Sequence, residues 1–204
     1  MPSRNVLKID IDDSYYHAYA RGASRNKIFK ETADYEYFLK LFIRYLSDEV
    51  TYDSAGRPYP QLVDHLELLA YCLMPNHFHL MYYQKDAGSI STLMRSVMTS
   101  YSRYFNKKYK RSGPLFETRY KSSRISNDTY LMHISRYIHL NHQNWKTWKW
   151  SSYMYYKNNN FPHWLSPEKV LGLFPSTQKY LDFVADYENA QRIRDEIKLE
   201  LANG

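Results

Sequence analysis

The sequence predicts an α+β fold, an antiparallel sheet with helices packed on it. Apolar residues make up 44% of 204, enough for one domain with a core and a small extension. Stretches that read as strands are interleaved with stretches whose apolar residues recur every three and four positions. Their order, β-α-β-β-α-β-α, with the two central strands joined by a tight turn, suits a layered sheet and helices.

"SYYHAYAR" (14–21) reads as a strand that ends at Gly22. "ETADYEYFLKLFIRYL" (31–46) reads as an amphipathic helix with Thr32 as its N-cap, because Phe38, Leu41, Phe42 and Tyr45 share one face. "SAGRPYP" (54–60) is a turn-rich break. "LVDHLELLAYCLM" (62–74) contains a long buried strand, Pro75-Asn76 forces a turn, and "HFHLMYYQ" (77–84) completes a hairpin. After Gly88 comes a helix with Ile90, Leu93, Met94, Val97, Met98, Tyr101 and Phe105 on one stripe. "KRSGP" (110–114) ends it, and "ETRYKSSRI" (117–125) reads as a further strand. "NDTYLMHISRYIHLN" (127–141) is a helix capped by Asn127 or Asp128. Past residue 145 the chain becomes aromatic-rich, with a short helix in "FPHWLSPEKVLGLF" and a charged helix in "ADYENAQRIRDEIKLELANG". The expected division is a domain at 1–145 and an extension at 146–204 that wraps or caps it.

No apolar run approaches the ~20 residues of a membrane helix, and the polar start "MPSRNVLKIDIDD" lacks the apolar segment of a secretory signal. Cys72 is the single cysteine and has no partner in the chain for a disulfide. These features suit a reducing cytoplasm. The net charge of +7 is lopsided. Arg95, Arg103, Lys107, Lys108, Lys110, Arg111, Arg119, Lys121 and Arg124 are opposed within their segment by Glu117 alone, so 95–124 carries +8 and the rest of the chain −1. A local basic patch fits a polyanion. The interleaved Tyr101, Tyr104, Phe105, Tyr109, Phe116 and Tyr120 suit unpaired bases, which stack on such rings at about 1–3 kcal/mol per base. A solvated lysine-rich surface is the alternative.

Side chains alternate along a strand, so His77 and His79 of "LMPNHFHLMYY" face the same side. They can share one metal ion, or each can be satisfied by a separate hydrogen bond. On the helix 127–141, Leu131, Ile134 and Ile138 form the buried stripe. Tyr137 and Asn141, four residues apart, lie at its edge. They suit a hydroxyl nucleophile and an amide ligand above the sheet. They equally suit a packing residue and a helix cap.

"MPNHFHL" (74–80) followed by "RYIHLN" (136–141) resembles the single-tyrosine HUH transposases, in which two histidines flank a hydrophobic residue. "YHAYARGASRNKIF" (16–29), "DYEYFLKLF" (34–42), "SGPLFETRYKS" (112–122) and "WSSYMYY" (150–156) resemble the REP-associated tyrosine branch. The likeness runs in order over about 14–156. His142 stands where that family often has proline. The resemblance implies a ferredoxin-like core, a divalent metal (Mg²⁺ or Mn²⁺) on His77, His79 and Asn141, and Tyr137 as nucleophile. It implies a substrate of single-stranded DNA carrying a hairpin, handled by a monomer or homodimer. Cleavage would pass through a 5′-phosphotyrosine link. Arg95, Arg103, Lys107, Lys108, Lys110, Arg111, Arg119, Lys121 and Arg124 would contact phosphate, which gives affinity without sequence information. Two other readings keep the basic patch: a non-catalytic binder of structured DNA or RNA, and a nuclease that hydrolyses with water. His133, one turn before Tyr137, is the candidate general base.

Overall fold

β1 (Ser14–Arg21) lies in the middle of a four-stranded sheet of order β2-β3-β1-β4, every pairing antiparallel. This is a computed structural model, and it describes residues 10–186. The other strands are β2 (Leu66–Met74), β3 (His77–Gln84) and β4 (Lys121–Ile125). With α1 (Thr32–Tyr45) after β1 and α2 (Ser89–Lys108) after β3, the run β1-α1-β2-β3-α2-β4 is the split βαβ order of ferredoxin-like folds. The predicted fold class is the one observed.

Helices cover both faces of the sheet. Ala18, Ala20, Phe78, Leu80 and Tyr82 face α1 and α2 and share a core with Phe38, Phe42, Leu93, Val97, Tyr101 and Phe105. Each Phe, Leu or Val side chain among them, taken from water, contributes roughly 1.5–3 kcal/mol. Cys72, Met81 and Ile125 face the opposite way, toward Leu131, Ile134 and Ile138 of α3 (Asp128–His139). β2 is buried on both faces and serves both cores, with a register shift between Leu68 and Ala70. Leu66 and Leu68 point to the first core, Leu69 and Ala70 to the second. The shift inserts one residue against β3, which puts the neighbours Leu69 and Ala70 on the same face and reverses the parity of the strand beyond them.

Helix ends differ slightly from expectation. The N-cap of α1 is Glu31, not Thr32: Asp34 at N3 reaches back to the Glu31 backbone N–H, and Glu31 caps the N3 backbone. This is a capping box with acidic residues at both positions. Asn127 caps α3 by accepting from the Tyr130 N–H at 2.8 Å. The expected strand 117–125 is shorter, 121–125.

The segment beyond 145 lies against the domain. Leu73 N–H donates to Trp150 O and Ser152 N–H to Tyr71 O, both at 2.9 Å, so 150–152 pairs with the outer edge of β2 and satisfies groups an edge strand would expose. α4 (Tyr153–Asn158), α5 (Glu168–Leu171) and α6 (Thr177–Ala185) follow, and Tyr156, Val170, Tyr180 and Val184 join the α3 core. The charged helix expected after residue 185 lies almost wholly outside the described residues. Among the described residues, no helix is long and apolar enough to cross a membrane.

Candidate active site

The β2–β3 hairpin delivers His77 and His79 to the α3 face of the sheet. Its turn is tied down by the loop after β1. Gly22 N–H donates to Asn76 O at 2.8 Å, and the N–H groups of Ile28 and Phe29 both donate to Pro75 O. Gly22 has no room for a side chain, since a Cβ there would meet Asn26 O at 2.1 Å. The loop passes back through Ser24 and Arg25, both at positive φ, 53° and 59°. Such backbone is sparsely populated for non-glycine residues and is over-represented at functional sites.

His77 Nδ1 lies 2.7 Å from Asn76 Oδ1. An amide oxygen only accepts, so Nδ1 carries the ring proton and Nε2 keeps a lone pair. That Nε2 faces Asn141 Oδ1, a second acceptor, at 3.1 Å. Two lone-pair atoms this close repel unless a cation sits between them or beside both. His79 stands next to them, its ring perpendicular to that of His77 with centroids 5.2 Å apart. The Tyr137 ring, 7% exposed, packs edge-on against His79 at 5.3 Å. The four residues singled out by sequence therefore meet in one chain, brought together by β3 and the C-terminal end of α3. Among the described residues, no three His, Cys, Asp or Glu side chains form a metal-type group. An ion here would thus be held by two imidazoles and an amide.

Burial keeps these imidazoles neutral, as ligands must be. It pushes His77 below its ordinary value, with Asn141 opposing and Arg21 assisting. It pushes His79 down much further, aided by His17, His77 and Arg21. His17 falls to about 3 from burial alone.

Two residues of β1 belong to this site and were not singled out by sequence. His17, 1% exposed, places Nε2 2.8 Å from His79 Nδ1. Arg21 pairs in register with His77 and is exposed beside it. The available signal was the two-residue period of β1, which puts His17, Tyr19 and Arg21 on the face of whichever β3 residues they oppose.

The nine basic residues separate into groups. Lys121 pairs in register with Tyr19, hence on the site's face, and the chain leading to it runs beside β1 through Glu117 N–H to Arg21 O at 2.9 Å. Arg119 and Lys121 thus border the site near Arg21. Arg124 pairs with Tyr16, whose side chain belongs to the other core. Arg95, Arg103 and Lys107 are exposed on α2, in the layer opposite the histidines, and Lys110 is exposed just beyond. Arg111 leans toward the Phe105 ring, 5.7 Å from its centroid. Lys108 differs from the others in being ion-paired: its ammonium lies 2.7 Å from the buried Asp34 and 2.6 Å from Glu31, which fastens α2 to α1. His133 accepts from Arg136 at 3.2 Å and packs on Phe183 of the extension.

Residues 62–141, from β2 to Asn141, match the family model described as "Transposase IS200 like". No curated protein matches the chain by sequence. Among solved structures, a REP-associated tyrosine transposase bound to a REP hairpin shares the fold at a TM-score of 0.55 and 14% identity, over 78% of this chain and 88% of that one. Over residues 62–141 the chain is therefore similar to the IS200-like transposases, and its fold is that of a REP-associated tyrosine transposase.

Proposed function

We propose that the protein cuts and rejoins single-stranded DNA that carries a hairpin, with Tyr137 as nucleophile and His77, His79 and Asn141 as the holders of a divalent ion, Mg²⁺ or Mn²⁺. The observation that carries this reading is the approach of His77 Nε2 to Asn141 Oδ1 at 3.1 Å, two lone pairs with no proton between them, beside the Tyr137 ring. Donors of this kind, two neutral imidazoles and an amide, leave an ion its full charge. The ion, when bound, supplies a Lewis acid for the charge that grows on the phosphate oxygens.

The chain's own groups do the rest. The Tyr137 oxygen attacks phosphorus, the bond from phosphorus to the 3′ oxygen breaks, and that oxygen leaves as a 3′-hydroxyl after taking up a proton. The 5′-phosphate stays on the tyrosine. One phosphodiester replaces another, so a later 3′-hydroxyl can reverse the exchange and join a new strand. A phenol of pKa about 10 leaves more readily than an alkyl alcohol, which keeps the link reactive. Arg21, Arg119 and Lys121 border the site and would hold the phosphates next to the scissile one. The hairpin preference draws support from the REP hairpin bound to the solved structural relative. A buried, unpaired Cys72 agrees with a reducing cytoplasm.

The test is covalent capture. Incubation with hairpin-bearing single-stranded DNA and Mn²⁺ is expected to give a protein–DNA adduct that survives a denaturing gel. Tyr137→Phe is expected to lose the adduct and keep hairpin binding. An adduct formed by the Phe variant would remove Tyr137 from the role. Binding without any adduct in the unaltered protein would favour a structured-DNA binder.

A further inference from the structure

We infer that His17 is a positioning residue: it holds His79 by Nδ1 so that Nε2 alone is presented to the ion. This rests on the metal role proposed above for His79.

Both imidazoles of the pair have Nδ1 occupied by a neighbour. His77 Nδ1 is held by Asn76 Oδ1 at 2.7 Å and His79 Nδ1 by His17 Nε2 at 2.8 Å. The two holders come from different elements, the hairpin turn and β1, yet both engage Nδ1, so Nε2 is the nitrogen each ring has left for an ion. For His77 that atom is the one that faces Asn141. A ring nitrogen that binds an ion has no proton, so the proton of a neutral imidazole must then sit on the other nitrogen. A loaded His79 therefore donates from Nδ1, and His17 Nε2 is the acceptor within reach. Carboxylates or carbonyls usually fill that place behind a metal-bound histidine, and their loss typically costs 10–100-fold in metal affinity.

Packing alone does not account for His17. It is almost wholly buried, stacked at 5.0 Å on His79 and at 5.3 Å on Tyr19. Phenylalanine would fill such a slot with no polar atoms to satisfy. Among the described residues His17 Nδ1 has no hydrogen-bond partner, so the histidine brings an orphaned buried nitrogen with it. What distinguishes it from phenylalanine is the contact its Nε2 makes with His79. In the tautomer required here, His17 carries its proton on that orphaned Nδ1 and offers the Nε2 lone pair to His79.

The experiment is Mn²⁺ binding by calorimetry on the full chain without DNA, for His17→Phe and His17→Gln beside the unaltered protein. Thermal melting is followed in parallel. Phenylalanine keeps the ring stack and removes the acceptor; glutamine loses the ring and keeps an acceptor oxygen near the place of Nε2. His17→Phe is expected to melt cooperatively and bind Mn²⁺ about 10–100-fold more weakly. His17→Gln is expected to recover most of that loss. Equal affinity in His17→Phe and the unaltered protein would overturn the inference, as would a glutamine variant no better than phenylalanine. Absence of Mn²⁺ binding in the unaltered protein would instead overturn the metal role on which the inference rests.

Discussion

His77 Nε2 and Asn141 Oδ1 face one another at 3.1 Å although they are 64 residues apart, one at the start of β3 and the other just past the end of α3. The sheet and the helix are thus locked in a relation that makes sense for a shared cation. Asn141→Asp is expected to bind Mn²⁺ more tightly, because a carboxylate adds charge to the ligand set. The same variant is expected to form the Tyr137 adduct more slowly, because part of the ion's charge is then spent on the protein. Calorimetry and a gel time course separate the two effects. Weaker Mn²⁺ binding in the Asp variant would show that Asn141 does not ligate.

The basic residues are expected to divide by their place in the fold. Removal of one phosphate contact to a single strand lowers the slope of log K against log salt by about 0.7. Lys107→Ala, at an exposed position of α2, and Arg119→Ala, at the site's border, are each expected to show that change in a salt titration of hairpin binding. Lys108→Ala is expected to leave the slope alone and to lower the melting temperature, since its ammonium is engaged by Asp34 and Glu31. A salt slope that changes for Lys108 and not for Lys107 would reverse this assignment.

Arg21 stands across the register from His77. A hydrogen bond from a charged group is worth about 1.5–3 kcal/mol, so Arg21→Ala is expected to slow adduct formation about 10–100-fold. Single-turnover assays at saturating DNA would read this as a change in the chemical step. A variant that cleaves at the normal rate once DNA is saturating would limit Arg21 to binding.

How much of this was legible in the sequence depends on what kind of signal each feature leaves. The succession of strands along the chain and the helices α1 to α3 carry apolar periods that survive folding unchanged, so they were readable. His77 and His79 were readable because two polar side chains on one face of an apolar strand break its pattern together. His17 breaks a pattern only once, in a strand where tyrosines already blur the alternation, and its meaning lies in a partner 62 residues away. The ion pairs of Lys108 were hidden for a related reason: a charged residue at the end of an amphipathic helix looks solvated until the fold brings Asp34 under it. The register shift in β2 was hidden too, since a continuous apolar run marks a strand buried on both faces but not the point where its alternation slips.

Asp34 gives the fold a dependence on acid. Burial raises its carboxyl pKa, but hydrogen bonds from Lys108, the Lys30 backbone, Tyr109 and the Glu31 backbone outweigh that and hold it below the ordinary value. A depressed carboxyl contributes stability above the unfolded value near pH 4. That contribution is lost as pH falls through the folded value. Asp34→Asn is therefore expected to cost about 1.5–3 kcal/mol at pH 7 and clearly less at pH 3. Urea unfolding at the two pH values measures both numbers. A penalty that does not shrink in acid would mean that the charge is not what stabilises this joint.

The extension holds α3 through a buried polar chain. Tyr180 of α6 lies 2.6 Å from His139 Nδ1, and His139 Nε2 lies 2.7 Å from Ser152 Oγ. Ser152 Oγ in turn accepts from the Tyr71 backbone N–H at 2.9 Å, which links α6, α3 and β2. His139 sits two residues past Tyr137, so the chain ends on the helix that carries the proposed nucleophile. Tyr180→Phe keeps the ring and leaves His139 Nδ1 without a partner in a site shut off from water. An unsatisfied buried polar group costs about 1–3 kcal/mol. The variant is expected to unfold at lower urea by that amount. It is expected to keep Mn²⁺ affinity, because His139 is not among the proposed ligands, and to form the adduct more slowly if the anchor sets the placement of Tyr137. A urea midpoint equal to that of the unaltered protein would show that the chain tolerates the missing hydroxyl and that apolar packing alone fastens the extension to α3.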